Sequence, residues 1–266
     1  MKLSDLTTLE IGKISSKTIA ILPLGAIEQH GPHLPVSTDS VIITVIAEAV
    51  ENTLKEDVVL CPTLQFGSSH HHLEFAGTMS ISPDLFTKII EQLVSSLLHS
   101  GFRKIILLNG HGGNITPIKQ ALSLLSHKFD DSFQPNIVLV NYWELAGKFF
   151  AGEPPMETPA LCHACEYETS MMLELLPKSV NMTKAKRSNR PKRNEFIAWE
   201  EDERYRGVSM VKRTHFISSN GSSGEPKLAN AEKGKHLLEK AIAAAITFTI
   251  KFKKWPLMKD LRKFKK

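Results

Sequence analysis

The sequence predicts an α/β fold, a mainly parallel sheet held between helices. Three observations carry this. Short, continuously apolar runs alternate with longer stretches whose apolar residues recur at helical spacing. The apolar runs do not alternate with polar residues, as strands buried on both faces require. Polar and histidine-rich residues cluster directly after the runs, where open α/β sheets bind ligands, beyond the carboxyl ends of their strands.

Residues 19–25 read as the first strand. They give way abruptly to Glu28, His30 and, eleven residues after the glutamate, Asp39. Glu28 and His30 are two apart and fall on one side of locally extended chain. Two carboxylates and an imidazole are ligand chemistry that divalent zinc, manganese or iron accepts. The same residues would also make a solvated turn, with Asp39 capping the next helix.

That helix is predicted over Val41–Leu54, with apolar residues at 42, 43, 46, 49, 50 and 54 and Asp39 or Ser40 as N-cap. Val58–Cys61 is the second strand, and the loop from Gln65 to Thr78 that follows is too polar to be core. It carries His70, His71, His72 and Glu74; three adjacent histidines cannot all face one metal, so most are expected at the surface or behind the site. Ser82-Pro83-Asp84 starts a helix that runs to Gly101. The third strand, Lys104–Leu108, leads into Asn109-Gly110-His111-Gly112-Gly113-Asn114 and a helix to about His127. This run lacks the Lys and Ser or Thr of a phosphate loop. His111 at a strand end is therefore a ligand or a histidine satisfied by backbone.

Ile137–Val140 is the fourth strand, followed by Tyr142-Trp143-Glu144. A helical pattern from His163 to Leu176 opens with one imidazole and two carboxylates, Glu166 and Glu168, either of which could serve as ligand or base. On a regular helix Glu166, not Glu168, would share a face with His163. Cys162 and Cys165 form a CxxC with no second pair and no thioredoxin-like context. Residues 178–226 are polar and irregular, an arm or a cover. The last helix is predicted over 227–252.

Of the 266 residues 42% are hydrophobic and 23% charged, ordinary globular composition, and no apolar run approaches the roughly 20 residues that span a bilayer. Residues 1–13 lack a secretory pattern, and three cysteines make no disulfide framework, so a cytoplasmic location is expected. The net charge of +5 is concentrated at the end: residues 251–266 carry +7 and the remaining 250 carry −2. A solvated basic tail on a single domain of residues 1–250 is expected, rather than a nucleic-acid site.

Glu28-Gln29-His30-Gly31-Pro32-His33-Leu34-Pro35 with Asp39, Phe75-Ala76-Gly77-Thr78, Asn109 to Asn114, and His163 with Glu168-Thr169-Ser170 together resemble the creatininase family. Gly221 to Pro226 and Ala231-Glu232-Lys233-Gly234 resemble its closing motif. The resemblance implies a single-domain three-layer sandwich, a homohexamer, and two divalent ions (Zn, Mn or Fe) holding a hydroxide that attacks a small-molecule amide. Carried over by position, Glu28 and His111 bind one ion, His30 the other, and Asp39 bridges both. Creatininase proper has a further glutamate ligand where this chain has Gly113, so Glu168 is expected to complete the second site. His163 and Glu168 are the implied catalytic pair. Trp143, Gly77, Thr78, Gly112 and Gly113 are the implied substrate side. Ala76 departs from the family's Phe-Pro-Gly-Thr. Gly113 argues against creatinine itself, and Trp143 argues for it. Relatives on this scaffold suggest two other substrates, a formamido-pyrimidine or a peptide cleaved in cofactor maturation. A non-catalytic metal-binding protein is the reading from outside enzymes.

Overall fold

A computed structural model of the chain describes residues 1–128, 134–189, 213–259 and 261. The four apolar runs become strands β1 (Ile19–Leu24), β2 (Val58–Leu60), β3 (Lys104–Asn109) and β4 (Asn136–Asn141), all parallel in the order β2-β1-β3-β4. The helices are α1 (Thr8–Ile14), α2 (Thr38–Leu54), α3 (Pro83–His99), α4 (Ile115–Ser126), α5 (Tyr142–Ala146), α6 (Glu166–Leu175), α7 (Thr214–Ile217) and α8 (Ala231–Lys253).

Alternation along β1 separates two cores. Ile19 and Ile21 face a layer built from α2, α5, α6 and α8, while Ala20, Leu22 and Leu24 face α3 and α4. The result is the expected three-layer sandwich. Pro23 sits in a central strand, where a missing N–H would normally cost a ladder bond. It is tolerated because β2 has already ended: its last partner is Ile21, and Pro23 needs only its carbonyl, which accepts from Leu64 N at 3.0 Å. The in-register ladders bring Leu24, Asn109 and Asn141 level at the carboxyl edge. There Asn109 Nδ2 donates to Asn141 Oδ1 at 2.9 Å and to the His111 carbonyl at 2.7 Å, fixing the loop after β3 to its neighbour.

Three helix starts differ from expectation, each for a local reason. α2 begins at Thr38 after Ser37, so Asp39 lies within the first turn and is not the cap. Its carboxylate still gains from the helix dipole there. α6 begins at Glu166 because Ala164 adopts φ +49° and Cys165 is extended, which leaves His163 outside the helix. α8 begins at Ala231 because Pro226–Leu228 forms a separate 3-10 turn and Asn230 supplies the cap, accepting from Lys233 N at 2.9 Å.

At the other end α8 continues to Lys253, and Trp255 packs edge-on against Phe252. Lys104 Nζ donates to the Trp255 carbonyl at 2.6 Å and Asn136 Nδ2 to the Pro256 carbonyl at 3.0 Å. These are the first residues of β3 and β4, so the described start of the basic segment lies at the end of the sheet opposite the histidine cluster. Of the arm expected at 178–226, residues 190–212 lie outside the described residues.

Candidate metal centre

Beyond the carboxyl edge, five side chains from four segments form a continuous series. Glu28 follows β1, His30 is two residues on, Asp39 comes from the first turn of α2, His111 follows β3, and Glu168 comes from the first turn of α6. His111 Nε2 lies 3.3 Å from Glu28 Oε2, and His111 Nδ1 lies 3.0 Å from Asp39 Oδ2. The other Asp39 oxygen, Oδ1, lies 3.1 Å from His30 Nε2, which is 3.9 Å from Glu168 Oε2. Asp39 thus divides its two oxygens between two imidazoles, each with a further carboxylate behind it. All five residues are buried.

The donor set fits cations. Glu28 Oε2 and Asp39 Oδ2 are buried without a hydrogen-bond partner, a costly state for carboxylate oxygens unless a positive charge meets them. Burial pushes the Glu28 and Glu168 carboxyls up to about 7. Burial would lower both imidazoles, but it is outweighed by Asp39 at His30, raised to about 10, and by Glu28 and Asp39 at His111, raised to about 9. Without metal, protons supply the positive charge the carboxylates demand. His30 Nδ1 is 3.1 Å from the Glu28 carbonyl, to which it donates, so Nε2 is left to face the carboxylates. Holding one ring nitrogen on a backbone carbonyl is the usual way a metal-binding histidine is oriented.

The two glutamates of α6 separate completely. Glu168 turns to His30 and accepts from Ala164 N, whereas Glu166 is fully buried away from the cluster, bonded by Lys233 Nζ at 2.6 Å, Thr158 N at 2.8 Å and Thr158 Oγ1 at 2.8 Å. The face argument from a regular helix therefore does not hold: Glu168, not Glu166, lies at the cluster. His163 precedes the helix, so the irregular entry brings it beside Glu168 instead.

The histidine loop contributes more than its composition suggests. His70 is exposed and His71 half-buried, but His72 is buried with Nε2 3.5 Å from Glu28 Oε1. His163 Nδ1 approaches the same oxygen at 3.4 Å. Gly113 explains why the loop can come so close. A Cβ there would lie 2.2 Å from the Ser68 carbonyl oxygen and 2.5 Å from His111 Nε2, so a side chain at this position and the loop in its present place are mutually exclusive. Gly113→Ala is expected to displace the 68–72 turn, lowering stability by about 1–3 kcal/mol and weakening metal uptake. Thermal unfolding with and without added metal would show both effects.

The remaining predicted residues are placed in different ways. Gly112 is exposed, and a Cβ there would meet nothing within 4 Å, so the approach over it is open. Gly77 packs against Val36, and Thr78 Oγ1 accepts from Gln29 N at 3.1 Å and donates to the His72 carbonyl at 3.2 Å, bracing the loop from behind. Trp143 is half-buried with its ring edge-on to Tyr142. Tyr142 is the neighbour that senses the cluster: burial and then the charges of Glu168 and Asp39 hold its phenol well above its ordinary range. Neither Tyr142 nor His72 stands out in sequence, one reading as core and the other as one of three equivalent histidines. Cys165 Sγ accepts from Cys162 N at 3.3 Å, and the two form no disulfide.

Known proteins share this arrangement of elements. The chain is 30% identical over 232 residues to the mycofactocin precursor peptide peptidase of Mycobacterium tuberculosis, covering 84% of this chain and 81% of that one. It is 33% identical over 166 residues to the 3-dehydro-scyllo-inosose hydrolase of Thermotoga maritima, covering 60% and 51%. A solved creatininase with Mn superposes with a TM-score of 0.76 at 22% identity, covering 96% of this chain and 99% of that one. The family model for creatinine amidohydrolases matches residues 4–249, and with it the chain belongs to the creatininase family.

Proposed function

We propose that the protein is a divalent-metal-dependent amidohydrolase that cleaves a C–N amide bond, cyclic or formyl, of a small molecule. The carrying observation is the split of Asp39 between His30 and His111, at 3.1 and 3.0 Å, with Glu168 and Glu28 as the outer members. Such a series suits two ions, one held by Glu28, His111 and Asp39 and the other by His30, Asp39 and Glu168. Zn, Mn and Fe all accept this set of nitrogen and oxygen donors. When bound, a pair of this kind acidifies water and polarises an amide carbonyl.

The chain's own residues do the rest. Glu28, Asp39 and Glu168 concentrate negative charge in a buried site and so hold the cations in place. His163, half-buried with Nδ1 facing inward, moves a proton to the departing nitrogen. Burial, followed by the positive charge on His30, keeps it well below the usual imidazole range, so it gives up a proton readily. Substrate enters over Gly112, with Trp143 as a further wall. A homohexamer in the cytoplasm is part of the same proposal. Among the described residues no helix is long and apolar enough to cross a membrane.

Cleavage of a precursor peptide is the second reading, favoured by the breadth of the match to the mycobacterial peptidase. The test is hydrolysis by protein stripped with chelator and reloaded with Mn, Zn or Fe, offered creatinine, a formamido-pyrimidine and short peptides. Turnover of a small amide that vanishes on chelation and returns with metal is expected. Turnover of peptides alone would favour the second reading, and metal uptake without any hydrolysis would sink both.

A further inference from the structure

Gln29 lies between two functional histidines and is itself fixed. Its Oε1 accepts from Gly31 N at 2.9 Å and its Nε2 donates to the Gly221 carbonyl at 3.0 Å, so the amide can point only one way. Gly221 packs directly on the amide: a Cβ on it would lie 1.9 Å from Gln29 Oε1. One N–H of the amide remains, and the nearest acceptor is His72 Nδ1 at 2.6 Å. His163 Nε2 is also near, 2.9 Å from the amide nitrogen, but it lies 2.8 Å from the Gln29 backbone carbonyl, which can only accept. His163 Nε2 must therefore carry a proton, and no N–H of Gln29 is aimed at a free lone pair there.

We infer that Gln29 is a positioning residue that fixes the tautomers of both histidines, His72 through its side-chain amide and His163 through its backbone carbonyl. Both rings carry their proton on Nε2. His72 then aims an N–H at Glu28 Oε1, 3.5 Å away, whereas His163 aims an unprotonated Nδ1 at the same oxygen from 3.4 Å. The consequence is a division of labour. His72 steadies the Glu28 carboxylate by donation, and His163 turns a bare ring nitrogen toward the same oxygen. Thr214 Oγ1, 2.9 Å from His72 Nδ1, is the group that would accept from the other His72 tautomer if the Gln29 amide were removed.

The inference rests on the reading of Glu28 as a metal ligand, but its test does not need turnover. Long-range proton–nitrogen correlation spectra of metal-free protein, labelled with 15N in the histidine rings, report which ring nitrogen is protonated. His72→Asn and His163→Asn variants assign the signals. In the parent protein both Nδ1 atoms should show unprotonated shifts. In Gln29→Leu, His72 Nδ1 should move to the protonated range, because Thr214 then accepts from it, while His163 stays as it was. Zn2+ affinity should fall by about tenfold or more, as for loss of an outer partner of a ligand. A protonated His163 Nδ1 in the parent protein, or a His72 tautomer that ignores Gln29→Leu, would overturn the inference. The predicted tautomers and the predicted response to Gln29→Leu, together with no metal uptake by the parent protein, would instead count against the metal-enzyme reading and leave the tautomer assignment standing.

Discussion

Asp39→Ala is expected to abolish uptake of both ions and to lower turnover by at least about three orders of magnitude. The size follows from position. Among the described residues Asp39 is the one carboxylate with an oxygen within 3.1 Å of each of His30 and His111, so one substitution opens both halves of the site. Metal chemistry supplies several kcal/mol of transition-state stabilisation, and each ~1.4 kcal/mol is a factor of ten in rate. Elemental analysis after dialysis, beside a His70→Ala control whose imidazole is exposed, separates loss of the site from general damage. Full metal content in Asp39→Ala would show that the two halves do not depend on a shared carboxylate.

Lys233→Met should give the largest loss of stability. Lys233 Nζ reaches Glu166 Oε1 at 2.6 Å, Glu157 Oε1 at 2.7 Å and the Leu228 carbonyl at 2.8 Å, tying α8 to the start of α6. Glu166 is fully buried, and its remaining partners are all donors from 157 and 158. Burial raises the Glu166 carboxyl, but the bonds from Lys233 and Thr158 outweigh it and hold the group below its ordinary value, so it is ionised at neutral pH. Removing the lysine strands that charge, at a cost of about 3–5 kcal/mol. For a chain of this size that is roughly 10 °C in the unfolding midpoint. The pair Glu166→Leu with Lys233→Met should recover much of the loss, since two apolar groups strand nothing. A single Lys233→Met variant that melts with the parent protein would contradict the ion pair. Because Glu168 stands two residues beyond Glu166, the same anchor holds Glu168 in place beside His30.

Most of the layer structure was legible in the sequence because its causes are local. Strands buried on both faces read as continuous apolar runs, and Ser82-Pro83 marks the start of α3 whatever surrounds it. The cluster at the carboxyl edge was legible for a related reason: its carboxylates and imidazoles follow directly after buried strands, where open sheets bind ligands. What could not be read depends on contacts distant in sequence. The choice of Glu168 over Glu166 depends on Lys233, 67 residues away, and on the left-handed turn at Ala164. His72 is singled out among its neighbours only by the closeness that Gly113 allows between two loops. Ser37, not Asp39, stands at the N-cap of α2, and the aspartate oxygens are turned to His30 and His111 instead. The hub at Gln29 collects partners from residues 72, 163 and 221, which no local pattern brings together.

The central claim is that two ions sit on either side of Asp39. Anomalous scattering from crystals of the Mn-loaded protein locates them directly. Two peaks are predicted, one among Glu28, His111 and Asp39 and one among His30, Asp39 and Glu168. A single peak among Glu28, His72 and His163, or none near Asp39, would contradict it.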